Sequence, residues 1–409
     1  MNLTASKPIM IADQRPRLSV LRLVLILGSL STFGPLSIDM YLPALPNLSA
    51  NLHAGTSLVQ FSLTACMLGI ALGQIFAGPI SDVRGRRGPL LAGLTIYVVS
   101  SLLCAYASTI ELFILMRFIQ GLAGSAGIVI SRASVRDLYS GTEMTRFFAL
   151  LMLVSGAAPI LAPILGGQIL QIASWRGIFL VLAAIGSCVL LAVFFGLHET
   201  LPNERRSRGG FSNTIKVFRA LLKNKTFMGY ALSQGFASAA MFAYIAGSPF
   251  VMQNIFGISP QMFSVFFAIN GLGIILAGQI TGRLAGWIPV KKLLVTGLGL
   301  AFLGGISLLA MIIAEGSLIS ILVPLFFVVS SVGIIGTSSF SLAMQEQAKT
   351  AGSASALLGL FSFILGGVIA PFVGIAGSFS ALPMGIIIAS AEAAAVLSYI
   401  MLVKRKLSS

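Results

Sequence analysis

The sequence predicts an all-α membrane protein of twelve transmembrane helices, arranged as two pseudo-symmetric six-helix bundles. Three observations carry this: apolar runs of spanning length recur along the chain, basic residues collect on alternate connections, and short sequence matches return after about 200 residues.

Of 409 residues, 57% are hydrophobic and 9% charged, and the mean hydropathy is +0.99. A water-soluble domain with one or two cores is far less apolar. A spanning helix takes about 20 apolar residues. Such runs cover residues 20–45, 57–80, 89–107, 110–132, 145–171, 177–197, 227–252, 261–283, 292–314, 317–344, 353–376 and 381–403. The first follows a basic segment, as a secretory signal would. It runs well past a signal core of about 7–15 residues and lacks a small-residue cleavage site, so it reads as a retained helix.

A net charge of +15 is of the kind found in nucleic-acid-binding proteins, but in a membrane protein Lys and Arg report orientation first. With cytoplasmic termini, the inner segments hold Lys7, Arg15, Arg17 and Arg22, then Arg84, Arg86 and Arg87, then Arg132, Arg136 and Arg146. A central cluster follows, then Arg283, Lys291, Lys292, Lys349, Lys404, Arg405 and Lys406. The outer loops hold only Arg176, and the one remaining basic residue of the 26, Arg117, lies well inside a span and away from its ends. Both termini are therefore expected to be cytoplasmic, with the lipid bilayer and not nucleic acid as partner.

Cys66, Cys104 and Cys188 fall within spans as small apolar filler, and His53 and His198 lack metal-ligand spacing. No disulfide framework or metal site is expected. No G-x-x-x-x-G-K-[ST] sequence occurs, so the driving force is expected to be an ion gradient without a cofactor.

The longest interior polar stretch lies after the sixth span and divides the chain. Residues 1–19 form a tail, 20–197 the first bundle, 198–226 a linker, 227–403 the second bundle and 404–409 a second tail. Within the linker, Ile215, Phe218, Leu221 and Leu222 alternate with Lys216, Arg219 and Lys223, a pattern suited to the inner membrane surface. AGPISDVRGRR from Ala77 lies over AGQITGRLAGW from Ala277, and Ala162, Pro163, Gly166 lie over Ala370, Pro371, Gly374. Duplicated halves are common in transporters.

In the first span, GPLSIDMYLPALP places Asp39 among apolar residues, with Ser31, Thr32 and Pro35 on the preceding turns and Pro43 and Pro46 at the outer end. A carboxylate at the bilayer centre costs roughly 3 kcal/mol on insertion scales, so such a residue is a functional candidate. Arg117 in the fourth span is the other misplaced charge of this half, with Gln120 one turn away. At similar depth, Arg117 is the expected partner of Asp39. In the fifth span, Gly156, Pro159, Pro163, Gly166 and Gly167 suit a hinge or a close helix crossing. Between spans two and three stands GPISDVRGRR. There Gly78 would allow close packing, Asp82 sits at a helix end, Gly85 turns the chain, and Arg86 and Arg87 can pair with carboxylates or helix carbonyls.

That loop resembles the G-x-x-x-D-x-x-G-R-R signature of the major facilitator superfamily. The resemblance implies that it holds the two halves together on the inner side and biases the outward-open state. RFIQG at Arg117 is similar to the R-x-x-Q-G signature of drug exporters in that superfamily, which implies that Arg117 takes part in proton coupling. GAAPILAPILGG is similar to the antiporter signature, although Pro159 comes one position early and Ala162 takes a Gly place. PLSIDMYLPALP resembles the first helix of the bicyclomycin-resistance and chloramphenicol-resistance exporters. The fold implied is the major facilitator fold, as a monomer in a bacterial cytoplasmic membrane.

A substrate pocket is expected from Thr32 and Gln120 in the first half. In the second it is expected from Tyr230, Gln234, Ser238, Met241 and Tyr244 on the seventh span and Asn270 on the eighth. Uncharged polar, aromatic and Met side chains suit an adaptable apolar site. Glu392 in the twelfth span is expected to pair locally, with a role in coupling as the alternative. The expected function is proton-coupled export of small, mostly apolar antibiotics, with drugs and protons as partners and Asp39 as the proton site. The competing expectations are an importer or facilitator of a nutrient, and a membrane-embedded enzyme or lipid scramblase. The enzyme lacks a cluster of His, Asp and Ser to support it.

Overall fold

A computed structural model describes residues 20–206, 218–345, 347 and 351–403. Among these, eleven helices are long and apolar enough to cross a membrane, and a bent pair makes a twelfth. The two tails and residues 207–217 of the linker lie outside the described part.

The first span is built from α1 (Val20–Ser31), α2 (Phe33–Asp39), a tight turn at Leu42–Ala44 and α3 (Leu45–Asn51), with a bend of 43° after Ser31. The cause is local. The hydroxyls of Ser31 and Thr32 donate back to the carbonyls of Gly28 and Ser29 at 2.6 and 2.8 Å, and Pro35 cannot donate to the carbonyl one turn before it. Pro43 ends α2 at Asp39 in the same way. The chain then resumes as α3, so Pro43 and Pro46 lie inside the span and not at its end.

The other spans of the first half are α4 (Thr56–Arg84), α5 (Arg87–Ala105), α6 (Ile110–Leu138), α7 (Gly141–Ile172) and α8 (Trp175–Gly196). Those of the second half are α9 (Lys225–Phe250), α10 (Pro260–Leu284), α11 (Val290–Ile313), α12 (Leu318–Met344), α13 (Ala351–Ile369) and α14 (Leu382–Leu402). α6 runs six residues past its expected end at residue 132, so Arg132 and Arg136 belong to a helix and not to a loop.

In each half the second and fourth spans cross closely enough to exclude a side chain. A Cβ added at Gly121 of α6 would lie 2.1 Å from the Cys66 carbonyl oxygen of α4, and one at Gly333 of α12 would lie 2.2 Å from the Ile274 carbonyl oxygen of α10. The same helix pair is pinned in the same way twice, as duplicated halves require. Gly78, by contrast, would meet only Val129 at 3.6 Å. Its space is ordinary, and the tight packing of α4 falls earlier along the helix.

The halves meet at the end of the bundle away from the chain termini, through polar side chains bonded to carbonyl oxygens. Gln60 donates to Ala246 at 3.0 Å, Thr64 to Gly367 at 2.6 Å and Gln253 to Pro43 at 3.1 Å. Bonds of this type between membrane helices contribute about 0.6–2 kcal/mol each.

Candidate functional site

A cavity of about 810 Å³ lies between the halves. The interhalf bonds close one end of it. It opens at the end that carries the termini, where exposed Arg132 and Arg136 line its wall.

Asp39, the last residue of α2, faces this cavity and is 5% exposed. It has no hydrogen bond or ion pair among the described residues. Arg117 is not its partner. The Arg117 guanidinium is fully buried in the first half, where Nη2 donates to the Ser37 carbonyl at 2.6 Å and Nη1 to Gln120 Oε1. The same group lies 4.4 Å from the Tyr41 ring centre and 5.5 Å from that of Phe179. Because α2 stops at Asp39, its last carbonyls lack helical partners, and a cation at that C-terminus satisfies one of them. Arg117 therefore holds the backbone two residues before Asp39 instead of neutralising its carboxyl.

Gln120 passes the network inward, donating to Ser101 Oγ at 2.7 Å, and it is buried away from the cavity. Thr32 is likewise absent from the wall, since its hydroxyl is turned to the Ser29 carbonyl at the bend. In the second half, Gln234, Met241, Tyr244 and Asn270 do line the cavity. Asn270 Nδ2 donates to the Tyr244 hydroxyl at 3.0 Å, and Tyr244 stacks on Phe267 at 5.5 Å. Ser238 is buried within its own half, because α9 is enclosed on most of its circumference and presents only a narrow face. Tyr230 lies in a separate pocket of about 290 Å³, beside Lys291 and Val403. Helical spacing identified its face but not its depth.

The loop after α4 is held by residues of the first half and of the start of the linker. Gly85 takes φ +88°, a left-handed conformation suited to glycine. Arg86 donates to Asp137 Oδ2 at 2.8 Å, to Asp82 Oδ1 at 2.5 Å and to Ser81 Oγ at 2.7 Å. Burial works to lower the Arg86 pKa, but the two carboxylates outweigh it and hold the group above its ordinary value. Glu199, just after α8, accepts the backbone N–H groups of Arg86 (2.8 Å), Arg87 (3.2 Å) and Leu201 (3.0 Å). Burial pushes its carboxyl up, yet these donors, with Arg206, hold it below the usual carboxylate range. Arg87 donates to the Phe194 carbonyl at 2.7 Å. With the cavity open at this end, none of these bonds joins the halves. No motif in the sequence marks Asp137, beside Arg136 near the end of α6, or Glu199, in the linker, as a partner of this loop.

On α7, a Cβ at Gly166 would fall 1.8 Å from the Met40 carbonyl oxygen, beside Asp39, and one at Gly167 would fall 2.7 Å from Ser264 Oγ of α10. Ser264 donates to the Pro163 carbonyl at 2.7 Å and Gln261 to that of Gly167 at 2.8 Å. This stretch is thus a crossing shared by the first span and the opposite half. Pro159 reaches the cavity wall, and Gly156 has ordinary space, its nearest atom being Ile275 Cδ1 at 3.8 Å. Glu392 on α14 is fully buried away from the cavity, and neither carboxyl oxygen has a partner among the described residues, so local pairing is not found.

Residues 26–371 match the profile of the Major Facilitator Superfamily. The chain is 45% identical to the uncharacterized MFS-type transporter YdgK of Bacillus subtilis, over 90% of this chain and 92% of that one. It is 29% identical to a bicyclomycin resistance protein homolog of Haemophilus influenzae over 94% and 97%. It is 28% identical to a chloramphenicol resistance protein of Pseudomonas aeruginosa over 88% and 84%. In fold it is similar to the nucleoside transporter NupG, with a TM-score of 0.77 at 13% identity, covering 94% of this chain and 99% of that one. It is also similar to the Escherichia coli xylose transporter XylE, with a TM-score of 0.73 at 12% identity, over 94% and 97%.

Proposed function

Because the chain belongs to the major facilitator superfamily, a family of multi-pass transporters and not of enzymes, we propose that it exports small, mostly apolar antibiotics of bicyclomycin or amphenicol type in exchange for protons. The antibiotic-resistance names of relatives at 28–29% identity support this substrate class. The observation that carries the mechanism is Asp39, a carboxyl without a partner on the wall of an apolar cavity that opens at one end.

In this reading the termini face the bacterial cytoplasm, as the basic connections favour, and the structure is the inward-open state. Drug enters among Gln234, Met241, Tyr244 and Asn270. A carboxyl with no fixed counter-ion can gain or lose a proton without breaking a salt bridge, so drug and proton compete at Asp39. Arg117 acts through the backbone, fixing α2 so that Asp39 stays on the wall. Rocking of the halves about the α7–α10 crossing would expose the cavity to the other side. The proton gradient supplies the energy, without a cofactor, and the monomer suffices.

In proteoliposomes, Asp39→Asn should abolish drug-driven proton release while drug binding persists. Normal exchange in that variant would sink the assignment. Drug accumulation by energised intact cells, in place of accumulation by inverted vesicles, would reverse the direction.

A further inference from the structure

We propose that Arg132 and Arg136 form an anion site on the cavity wall, selecting amphiphilic substrates that carry a carboxylate, sulfonate or phosphate group on an apolar body. The inference deepens the efflux reading and rests on the cavity being the transport site.

The two residues are one turn apart on α6, so their side chains leave the same face. Both line the cavity and are exposed within it. Among the described residues, neither has a hydrogen bond or a carboxylate within ion-pair distance. Asp137, the nearest acid in sequence, is turned to Arg86 at 2.8 Å. Among the described residues Asp39 is the sole acid on the cavity wall, and it stands too deep to neutralise them. The contact between Gly34 and Ile128 marks a common level of α2 and α6. From there Asp39 lies five residues one way and Arg132 four the other, about 13 Å apart at roughly 1.5 Å per residue.

Two like charges one turn apart repel, and low-dielectric walls focus their field into the cavity. Orientation alone does not call for this placement. Basic residues that set topology need only sit in connections or at helix ends, as Arg86 between α4 and α5 and Lys292 in the first turn of α11 do, whereas these two project from α6 into the cavity. Guanidinium groups suit forked anions. With the anion held there, an apolar body would reach towards Phe267 and Tyr244, deeper on the wall.

Chloramphenicol and its anionic hemisuccinate ester share one aromatic body and differ in charge, so they form the test pair. Equilibrium binding to the full-length protein would be measured in phosphatidylcholine nanodiscs. The double variant Arg132→Gln/Arg136→Gln should weaken hemisuccinate binding about tenfold or more, the scale of a lost charge-assisted hydrogen bond. Arg132→Lys/Arg136→Lys should retain most of it, and chloramphenicol binding should be unchanged in both, which also shows that the variants fold. Equal losses for the two ligands, or no loss for the ester, would overturn the site. Wild-type binding of chloramphenicol but not of the ester removes the anion site and leaves the efflux reading intact. Arginine-dependent ester binding, together with normal exchange by Asp39→Asn, does the reverse. In phosphatidylglycerol nanodiscs the ester should bind as well as before; competitive loss there would give the site to lipid headgroups and overturn the substrate assignment.

Discussion

Arg117 donates to the Ser37 carbonyl at 2.6 Å, across 80 residues of chain. This bond ties α6 to the end of α2 and leaves Asp39, two residues further on, without a counter-ion. The two charges expected to neutralise each other are separated into a structural cation and a free carboxyl.

That separation predicts opposite effects on stability. Arg117→Lys keeps a charge but cannot serve Ser37, Gln120 and the two rings together. It should destabilise the protein by about 1–3 kcal/mol, the scale of a buried group left unsatisfied, and reduce transport along with it. Thermal unfolding in detergent measures this.

Asp39→Asn should leave the melting temperature unchanged or higher, since no bond is lost. A marked fall would mean that Asp39 has a structural partner. The same preparation, reconstituted, reports whether drug-driven proton release is gone.

Glycine positions on α7 should divide by clearance. Gly166→Ala places a methyl 1.8 Å from the Met40 carbonyl oxygen, forcing α7 away from the first span at a cost of about 1–3 kcal/mol. Gly156→Ala, with 3.8 Å of clearance, should be close to neutral. Similar melting temperatures for the two would contradict the crossing.

Glu199 contributes a pH-dependent part of stability. Its folded pKa lies below the ordinary glutamate value, so the contribution is complete above about pH 4.3, the unfolded value. It is lost as pH falls through the lower folded value. Wild type should melt above Glu199→Gln at neutral pH, and the gap should close on acidification below about pH 4. A gap that widens there would show the opposite sign.

Span number, basic-residue bias and the duplicated plan were legible in the sequence because hydrophobic transfer and charge placement act residue by residue. Asp39 was legible for the same reason, since a lone acid in an apolar run is conspicuous wherever the helix packs. The relations between spans were not. Helical periodicity gives a face but neither depth nor neighbour, so Tyr230 and Ser238 were grouped with Gln234, and Gln120 was assigned to the pocket and not to the Arg117 network.

What the sequence by itself determined was the membrane class, the two halves and the few polar residues able to do chemistry in lipid. What only the tertiary structure decided was their pairing. Arg117 goes to a carbonyl freed by the end of α2, Arg86 to Asp137, Glu199 to backbone N–H groups, and Asp39, Arg132 and Arg136 to an open cavity. A buried charge takes whichever complementary group the packed helices bring within about 3 Å. That distance is set by helix crossings, here fixed by Gly121, Gly166 and Gly333, which join positions far apart along the chain.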